Sequence, residues 1–134
     1  MQKALSYTDA NFDRFVEELK DFLRIPSVST DPNHKDDVNA AAEWVAQNMR
    51  DMGTSHVKIM PTDGHPIVYA EHMVDPSKPT ILVYGHYDVQ PPDPLELWDS
   101  EPFDPVVKNG DLYARGSCDD KGQMFMHAKA AESY

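Results

Sequence analysis

The chain has 134 residues, 40% of them hydrophobic, which fits one folded domain with a core of its own. It carries 23 acidic against 12 basic residues, and the net charge of −11 argues against nucleic acid or an anionic membrane as a partner. The single cysteine, Cys118, excludes an internal disulfide and favours a reducing compartment such as the cytoplasm, and no apolar run approaches the roughly 20 residues of a membrane span.

Residues 9–24 predict the first helix. Large apolar side chains recur there at the spacing of one helical face. They are Phe12, Phe15, Val16, Leu19, Phe22 and Leu23. Thr8 or Asp9 suits the capping position, and Pro26 ends the helix because the residue before a proline avoids helical geometry.

A second amphipathic helix is predicted over residues 37–52. Gly53 suits the left-handed residue that often follows a helix. The polar residues 27–36 are expected to connect the two helices.

Strand patterns follow the second helix. Val57 and Ile59 alternate with polar neighbours, as in a half-buried strand, and residues 67–73 predict another. The short apolar run of residues 80–84 predicts a third strand, buried on both faces, with residues 67–73 as a possible antiparallel neighbour.

The last third of the chain begins with the proline-rich residues 91–105, which predict a long ordered loop. Asn109-Gly110 then predicts a two-residue hairpin between residues 106–108 and 111–113. Residues 120–133 are expected to form a helix.

A candidate metal site follows the third predicted strand. His86 lies at the carboxyl end of that strand, the edge where open α/β sheets place their ligands. Asp88 is two residues further on, and a metal-bound histidine usually has such a carboxylate on its other ring nitrogen. A second acidic cluster, Asp119-Asp120, lies in a glycine-flanked loop. Together these residues indicate a hydrolytic metal site, in which Asp120 is expected to cap the last helix or support the site.

The sequences of these segments closely resemble those of the two-zinc metallopeptidases that include carnosine dipeptidase, aminoacylase and succinyl-diaminopimelate desuccinylase. The resemblance is strong between Gly85 and His127 and extends over nearly the whole chain. It is carried by Gly85-His86-Tyr87-Asp88-Val89-Gln90-Pro91 and by the stretch from Ser117 to Gln123. The dipeptidase branch is the most similar, through Tyr87, the run from Asp93 to Trp98, and Phe125-Met126-His127.

The resemblance implies an α/β fold with helices packed on a mixed sheet, as in the catalytic domain of this family. It implies His86 and Asp119 as metal ligands and Asp88 as the catalytic residue that orients the site. The cofactors would be two divalent metal ions, zinc by expectation with manganese or cobalt as alternatives, sharing a hydroxide that hydrolyses a dipeptide or an N-acyl amino acid. The family also implies a cis peptide between Asp119 and Asp120.

Part of the family's site has no counterpart in this sequence. The family's adjacent glutamate pair lies after the second motif, whereas Glu17-Glu18 precedes the first motif and falls in a helical pattern. A distal histidine ligand is also missing. We therefore expect residues 1–134 to be an incomplete amino-terminal portion of the catalytic domain, inactive by itself and inclined to form a homodimer.

Two other classes of function stay open from the sequence. One is a binding module that retains a partial metal site without turnover, and the other is a small domain that uses the motifs structurally. Arg115 and Lys121 are expected to form ion pairs within the acidic loop rather than to bind substrate.

Overall fold

The computed structural model describes residues 1–134. Its helices are α1 (Gln2–Leu23), α2 (Lys35–Asp51) and α3 (Lys121–Ser133), and its strands are β1 (His56–Met60), β2 (Ile67–Glu71), β3 (Val106–Lys108) and β4 (Asp111–Tyr113). Short 3₁₀ turns cover Pro32–His34 and Leu95–Leu97. None of the helices is both long enough and apolar enough to cross a membrane.

The first helix ends where the sequence predicts, but the predicted start at Thr8 or Asp9 was wrong. The helix begins at Gln2, and Thr8 lies inside it, donating its hydroxyl to the carbonyl of Ala4 at 3.1 Å. The hydroxyl of Thr8 also contacts that of Ser133, at the end of α3, at 3.1 Å. The early turns are therefore held by packing on α3, which a local capping pattern does not reveal.

The core lies between α1, α2 and α3. Phe22 is fully buried with Ala41 and Val45 of α2, and its ring stacks on Trp44 with the ring centroids 4.4 Å apart. From the third helix, Phe125 is buried within reach of the same indole. Close stacking of large aromatic rings gives this small core much of its buried apolar area.

The strands form two separate antiparallel pairs. β1 pairs with β2 in a register that places Val57 opposite Ala70, and α2 packs on both strands. β3 pairs with β4 through the predicted turn, where Asn109 and Gly110 both have positive φ angles, 57° and 90°. Gly53 also has a positive φ, of 83°, as predicted. The predicted α/β class is confirmed.

The predicted buried strand over residues 80–84 is wrong for this chain. The segment forms no strand, and Ile81, Leu82 and Tyr84 are 85%, 88% and 87% exposed. β2 pairs with β1 instead. A strand requires a neighbour to satisfy its backbone groups, and no strand of the chain pairs with this segment.

An ion-pair network joins α1 to α3. Lys129, only 6% exposed in its side chain, lies 2.6 Å from Glu18 and 2.7 Å from Glu132, and Arg14 contacts both carboxylates as well. Burial alone raises the pKa of each glutamate, but hydrogen bonds from the two cations outweigh it and hold both pKa values below their ordinary range. Of the adjacent glutamates Glu17 and Glu18, Glu18 therefore has a structural role in the packing of α1 on α3.

Candidate metal centre

His86 lies between two carboxylates. Its Nδ1 donates to Asp88 Oδ1 at 3.0 Å, and its Nε2 is 3.2 Å from Asp119 Oδ1. The ring is 41% exposed and the Asp119 carboxylate 76% exposed, so both groups are open to a ligand from solvent. The structure therefore brings together the three residues predicted for the site.

The neighbouring carboxylates also affect the charge of the imidazole. Burial lowers the pKa of His86, but the hydrogen bond from Nδ1 to the backbone carbonyl of Asp88, at 3.1 Å, and the negative charges of Asp88, Asp120 and Asp119 outweigh it and raise the pKa overall. When Nδ1–H is bonded to Asp88, the neutral ring keeps the lone pair of Nε2 for a ligand beside Asp119, whereas the protonated ring donates from Nε2 to Asp119 Oδ1.

Asp120 ties the two loops of the site together. Its Oδ2 accepts from the backbone N–H of His86 at 3.0 Å, and it makes no side-chain capping bond to α3. Of the two roles expected for it, the structure therefore supports the one within the site. The peptide between Asp119 and Asp120 is cis, as predicted.

Two glycines explain how closely these loops approach. A Cβ at position 85 would lie 2.8 Å from Met124 Cγ, and one at position 122 would lie 1.9 Å from the carbonyl oxygen of Ser117. Only glycine lets the backbone come this close at either point. The glycines of both motifs are thus required by packing around the site.

Lys121 forms no ion pair, so the expectation of one was wrong. The residue is fully buried, and its Nζ donates to the carbonyls of Phe22 and Ile25 at 2.9 and 2.7 Å. Burial lowers the pKa of Lys121 to about 7, although the charges of Asp37 and Asp88 favour its ammonium form. The lysine anchors the Asp119 loop to the end of α1.

Arg115 also forms none of the expected ion pairs. It donates from Nη2 to the carbonyl of Pro91 at 3.1 Å, and its guanidinium lies 5.2 Å from the centre of the Trp98 ring. The indole of Trp98 donates to the carbonyl of Pro92 at 2.7 Å. These bonds fold the long proline-rich loop against the strand pair that follows it.

Sequence reasoning missed the support that comes from the connection after α1. Ser27 and Ser29 contact the His86 loop, with Ser29 Oγ donating to Asp88 Oδ2 at 2.5 Å. Residues 27–36 were interpreted only as a polar connection. The signal that could have been used is the short alternation of Ser27, Val28 and Ser29 after Pro26, which resembles a half-buried strand.

A cleft of about 660 Å³ opens beside His86. Its walls include residues of β2, α3 and the exposed segment of residues 81–84, and Asp88 and Ser29 also line it. The lining is mostly hydrophobic, with a few polar groups, which is the usual character of a small-molecule site.

The donor atoms of the site suit a divalent metal in part. An imidazole nitrogen and a carboxylate oxygen converge, and both are common zinc ligands. No group of three or more histidine, cysteine, aspartate or glutamate side chains in the chain is placed to hold a metal ion. The residues present therefore fit two positions of a coordination sphere and leave the others to be supplied from elsewhere.

Comparisons with known proteins agree with this geometry. Residues 82–134 match the model of peptidase family M20/M25/M40. The chain is 33% identical over 144 residues to the Cys-Gly metallodipeptidase of Schizosaccharomyces pombe and 32% identical over 147 residues to the Beta-Ala-His dipeptidase of Mus musculus. Each match covers 100% of this chain, which spans 30% of the length of each relative.

Solved structures of dipeptidases are also similar to nearly the whole chain. Human carnosine dipeptidase 1 superimposes with a TM-score of 0.90 at 29% identity, and the dipeptidase Dug1p of Saccharomyces cerevisiae with a TM-score of 0.89 at 28% identity. Both comparisons cover 98% of this chain and 30% of the other. The chain belongs to peptidase family M20/M25/M40, in which it corresponds to the amino-terminal part of the metallodipeptidases.

Proposed function

We propose that this chain supplies one half of a metal site that hydrolyses the amide bond of a dipeptide or an N-acyl amino acid. In this proposal His86 and Asp119 are metal ligands and Asp88 orients His86. The observation that carries it is the pair of contacts on one ring, with Nδ1 held by Asp88 and Nε2 directed at Asp119. That arrangement is typical of a histidine prepared to bind a metal.

The proposed cofactors are two divalent ions, with zinc as the expected metal and manganese or cobalt as alternatives. Mixed nitrogen and oxygen ligation is compatible with all three metals. A metal bound here would supply Lewis acidity, which polarises a carbonyl oxygen and makes a water molecule more acidic. The role of this chain's own residues is to hold and orient: Asp88 fixes the imidazole, and Asp120 fixes the backbone of His86.

Residues 1–134 are proposed to be an incomplete portion of the catalytic domain that does not turn over substrate alone. The chain places no group of three or more possible metal-binding side chains together, so in this proposal it supplies only two ligands. Glu17 bonds Lys20 on the surface of α1, and Glu18 belongs to the network with Lys129, so neither glutamate lines the cleft. The general base and the remaining ligands must therefore come from residues beyond these.

A dipeptide is the proposed substrate because the relatives are a Cys-Gly metallodipeptidase and a Beta-Ala-His dipeptidase. The cleft beside His86, of about 660 Å³, has the size of a small-molecule site. We further propose the cytoplasm as the location and a homodimer as the assembly. The single thiol and the exposed segment of residues 81–84 support these two points.

A chimeric enzyme tests the proposed activity. This chain would replace the matching part of the Schizosaccharomyces pombe Cys-Gly metallodipeptidase, and hydrolysis of Cys-Gly would be measured with added zinc or manganese. We expect activity in the chimera and its loss in His86→Ala and Asp119→Asn, whereas His56→Ala, on the exposed side of β1, retains it. A folded chimera whose activity survives His86→Ala would contradict the proposal, as would turnover by residues 1–134 alone.

A further inference from the structure

The connection after α1 runs beside the loop that carries His86. Val28 and Val89 form a parallel bridge and are 2% and 3% exposed. The N–H of Val89 donates to the carbonyl of Ser27 at 2.9 Å, and the buried hydroxyl of Ser27 donates to the carbonyl of Tyr87 at 2.7 Å. These contacts fix the register between the two segments.

This register places Ser29 against Asp88. The Ser29 hydroxyl donates to Asp88 Oδ2 at 2.5 Å, while Oδ1 of the same carboxylate accepts from His86 Nδ1 at 3.0 Å. The two oxygens therefore have separate partners, and the backbone carbonyl of Asp88 is a second acceptor for His86 Nδ1, at 3.1 Å. A carboxylate with one partner can rotate about its bond to Cβ, whereas a second partner on the other oxygen fixes its plane.

We propose that Ser29 is a positioning residue, which holds the Asp88 carboxylate in the plane that keeps the proton on His86 Nδ1 and the Nε2 lone pair directed toward Asp119. The effect of Ser29 on metal affinity rests on the function proposed above. The effect of Ser29 on the imidazole does not depend on that function, because the hydrogen bonds from Ser29 to Asp88 and from His86 to Asp88 are made by the chain alone.

The first test measures which ring nitrogen of His86 carries the proton, by nitrogen NMR of the metal-free chain with the imidazole neutral. Four variants are compared: Ser29→Ala, Ser29→Thr, Ser29→Val and, as a control, Ser55→Ala. Ser55 also donates its hydroxyl, but to the backbone carbonyl of Glu71 at the end of β2. Threonine and valine have nearly the same shape and differ in the hydroxyl.

We expect the proton on Nδ1 in the unmodified chain, Ser29→Thr and Ser55→Ala. In Ser29→Ala and Ser29→Val we expect a mixture with the proton on Nε2. An unchanged tautomer in Ser29→Val would overturn the proposal, as would the same mixture in Ser29→Thr.

The second test measures Co²⁺ affinity and thermal unfolding on the same proteins. Loss of a hydrogen-bonding partner behind a metal ligand commonly weakens binding by about 10–100-fold, and we expect a change of this size in Ser29→Val but not in Ser29→Thr. A purely structural role for Ser29 would lower the unfolding temperature and leave affinity unchanged, which would overturn the proposal. If the unmodified chain bound no Co²⁺, the proposed function would fail, and the tautomer measurement would still decide the role of Ser29.

Discussion

The ammonium group of Lys121 donates to the carbonyl of Phe22 at 2.9 Å, although 99 residues separate them. It also lies 4.7 Å from the centre of the Phe22 ring. The carbonyls of Phe22 and Ile25 at the end of α1 each accept a backbone N–H, from Ile25 at 3.4 Å and from Ser27 at 2.9 Å, and the lysine adds a charged donor to both. Because Asp119 is two residues away, the same contacts hold the Asp119 loop against the core.

Replacing Lys121 with methionine should therefore destabilise the fold. Methionine keeps much of the apolar volume but removes the ammonium group that donates to both carbonyls, which then keep only their backbone donors. A hydrogen bond from a charged group contributes about 1.5–3 kcal/mol. We expect the free energy of unfolding, measured in urea, to fall by about 2–4 kcal/mol. Lys58→Met, at an exposed position of β1, should change it little. Equal losses in the two variants would mean that the bonds of Lys121 add nothing to stability.

Gly116 and Gly110 provide a matched pair of substitutions. Both have φ near +90°, at +86° and +90°, but a Cβ at position 116 would lie 2.7 Å from Val89 Cγ1, whereas one at position 110 meets nothing within 4 Å. Gly110→Ala should cost about 1–2 kcal/mol for the left-handed backbone alone. Gly116→Ala should cost a further 1–3 kcal/mol or so because it overpacks the contact with Val89. Urea unfolding of both variants is the measurement, and equal losses would exclude the steric effect.

Local patterns predicted the elements whose residues determine their own geometry. Three elements were predicted correctly, since each depends on periodicity or on a positive φ. They are the third helix, the hairpin at Asn109-Gly110 and the left-handed Gly53 after α2. His86, Asp88 and Asp119 were selected by motif, and the structure places them together.

The failures share a physical cause, which is dependence on partners distant in sequence. The segment of residues 80–84 has the composition of a strand but lacks a neighbouring strand in this chain. Ser29 and Lys121 act through hydrogen bonds that span 59 and 99 residues, and no periodicity encodes such contacts. Buried hydrogen-bond partners of this kind become visible only when the chain is folded.

Acid should weaken the contact between α1 and α3. The folded pKa values of Glu18 and Glu132 lie below their ordinary range, so their stabilisation is complete above the unfolded value of 4.5 and is lost as the pH falls through the lower folded values. Because the side chains of Lys129 and Glu132 are only 6% and 9% exposed, Glu132→Gln should cost about 1–3 kcal/mol at neutral pH, more than an exposed pair, and should reduce the acid dependence. Urea unfolding at neutral and acidic pH tests this, with Glu43→Gln on the exposed face of α2 as the control. An acid dependence unchanged in Glu132→Gln would contradict the assignment.

The chain should self-associate through its exposed apolar segment. Phe125 and Ala128 of α3 are already buried, whereas Leu82 and Tyr84 remain almost fully exposed. An extended apolar segment without a strand partner favours pairing with another chain, and salt screens the opposing net charge over about 8 Å.

Sedimentation at tens of micromolar in moderate salt measures this association. Leu82→Lys should shift the chain toward monomer, whereas Leu97→Lys, at another exposed leucine, should not. A monomer before any substitution would contradict the prediction.

Metal binding by His86 and Asp119 is the central claim, and calorimetric titration of Co²⁺ and Zn²⁺ tests it most directly. The measurement would use Cys118→Ser as the background, because the exposed thiol could itself bind zinc. With two protein ligands instead of the usual three or four, we expect one weak site, of about micromolar affinity at best. His86→Ala and Asp119→Asn should abolish it, and His56→Ala should retain it. Absence of binding in the background protein, or binding of equal strength in His86→Ala, would contradict the account.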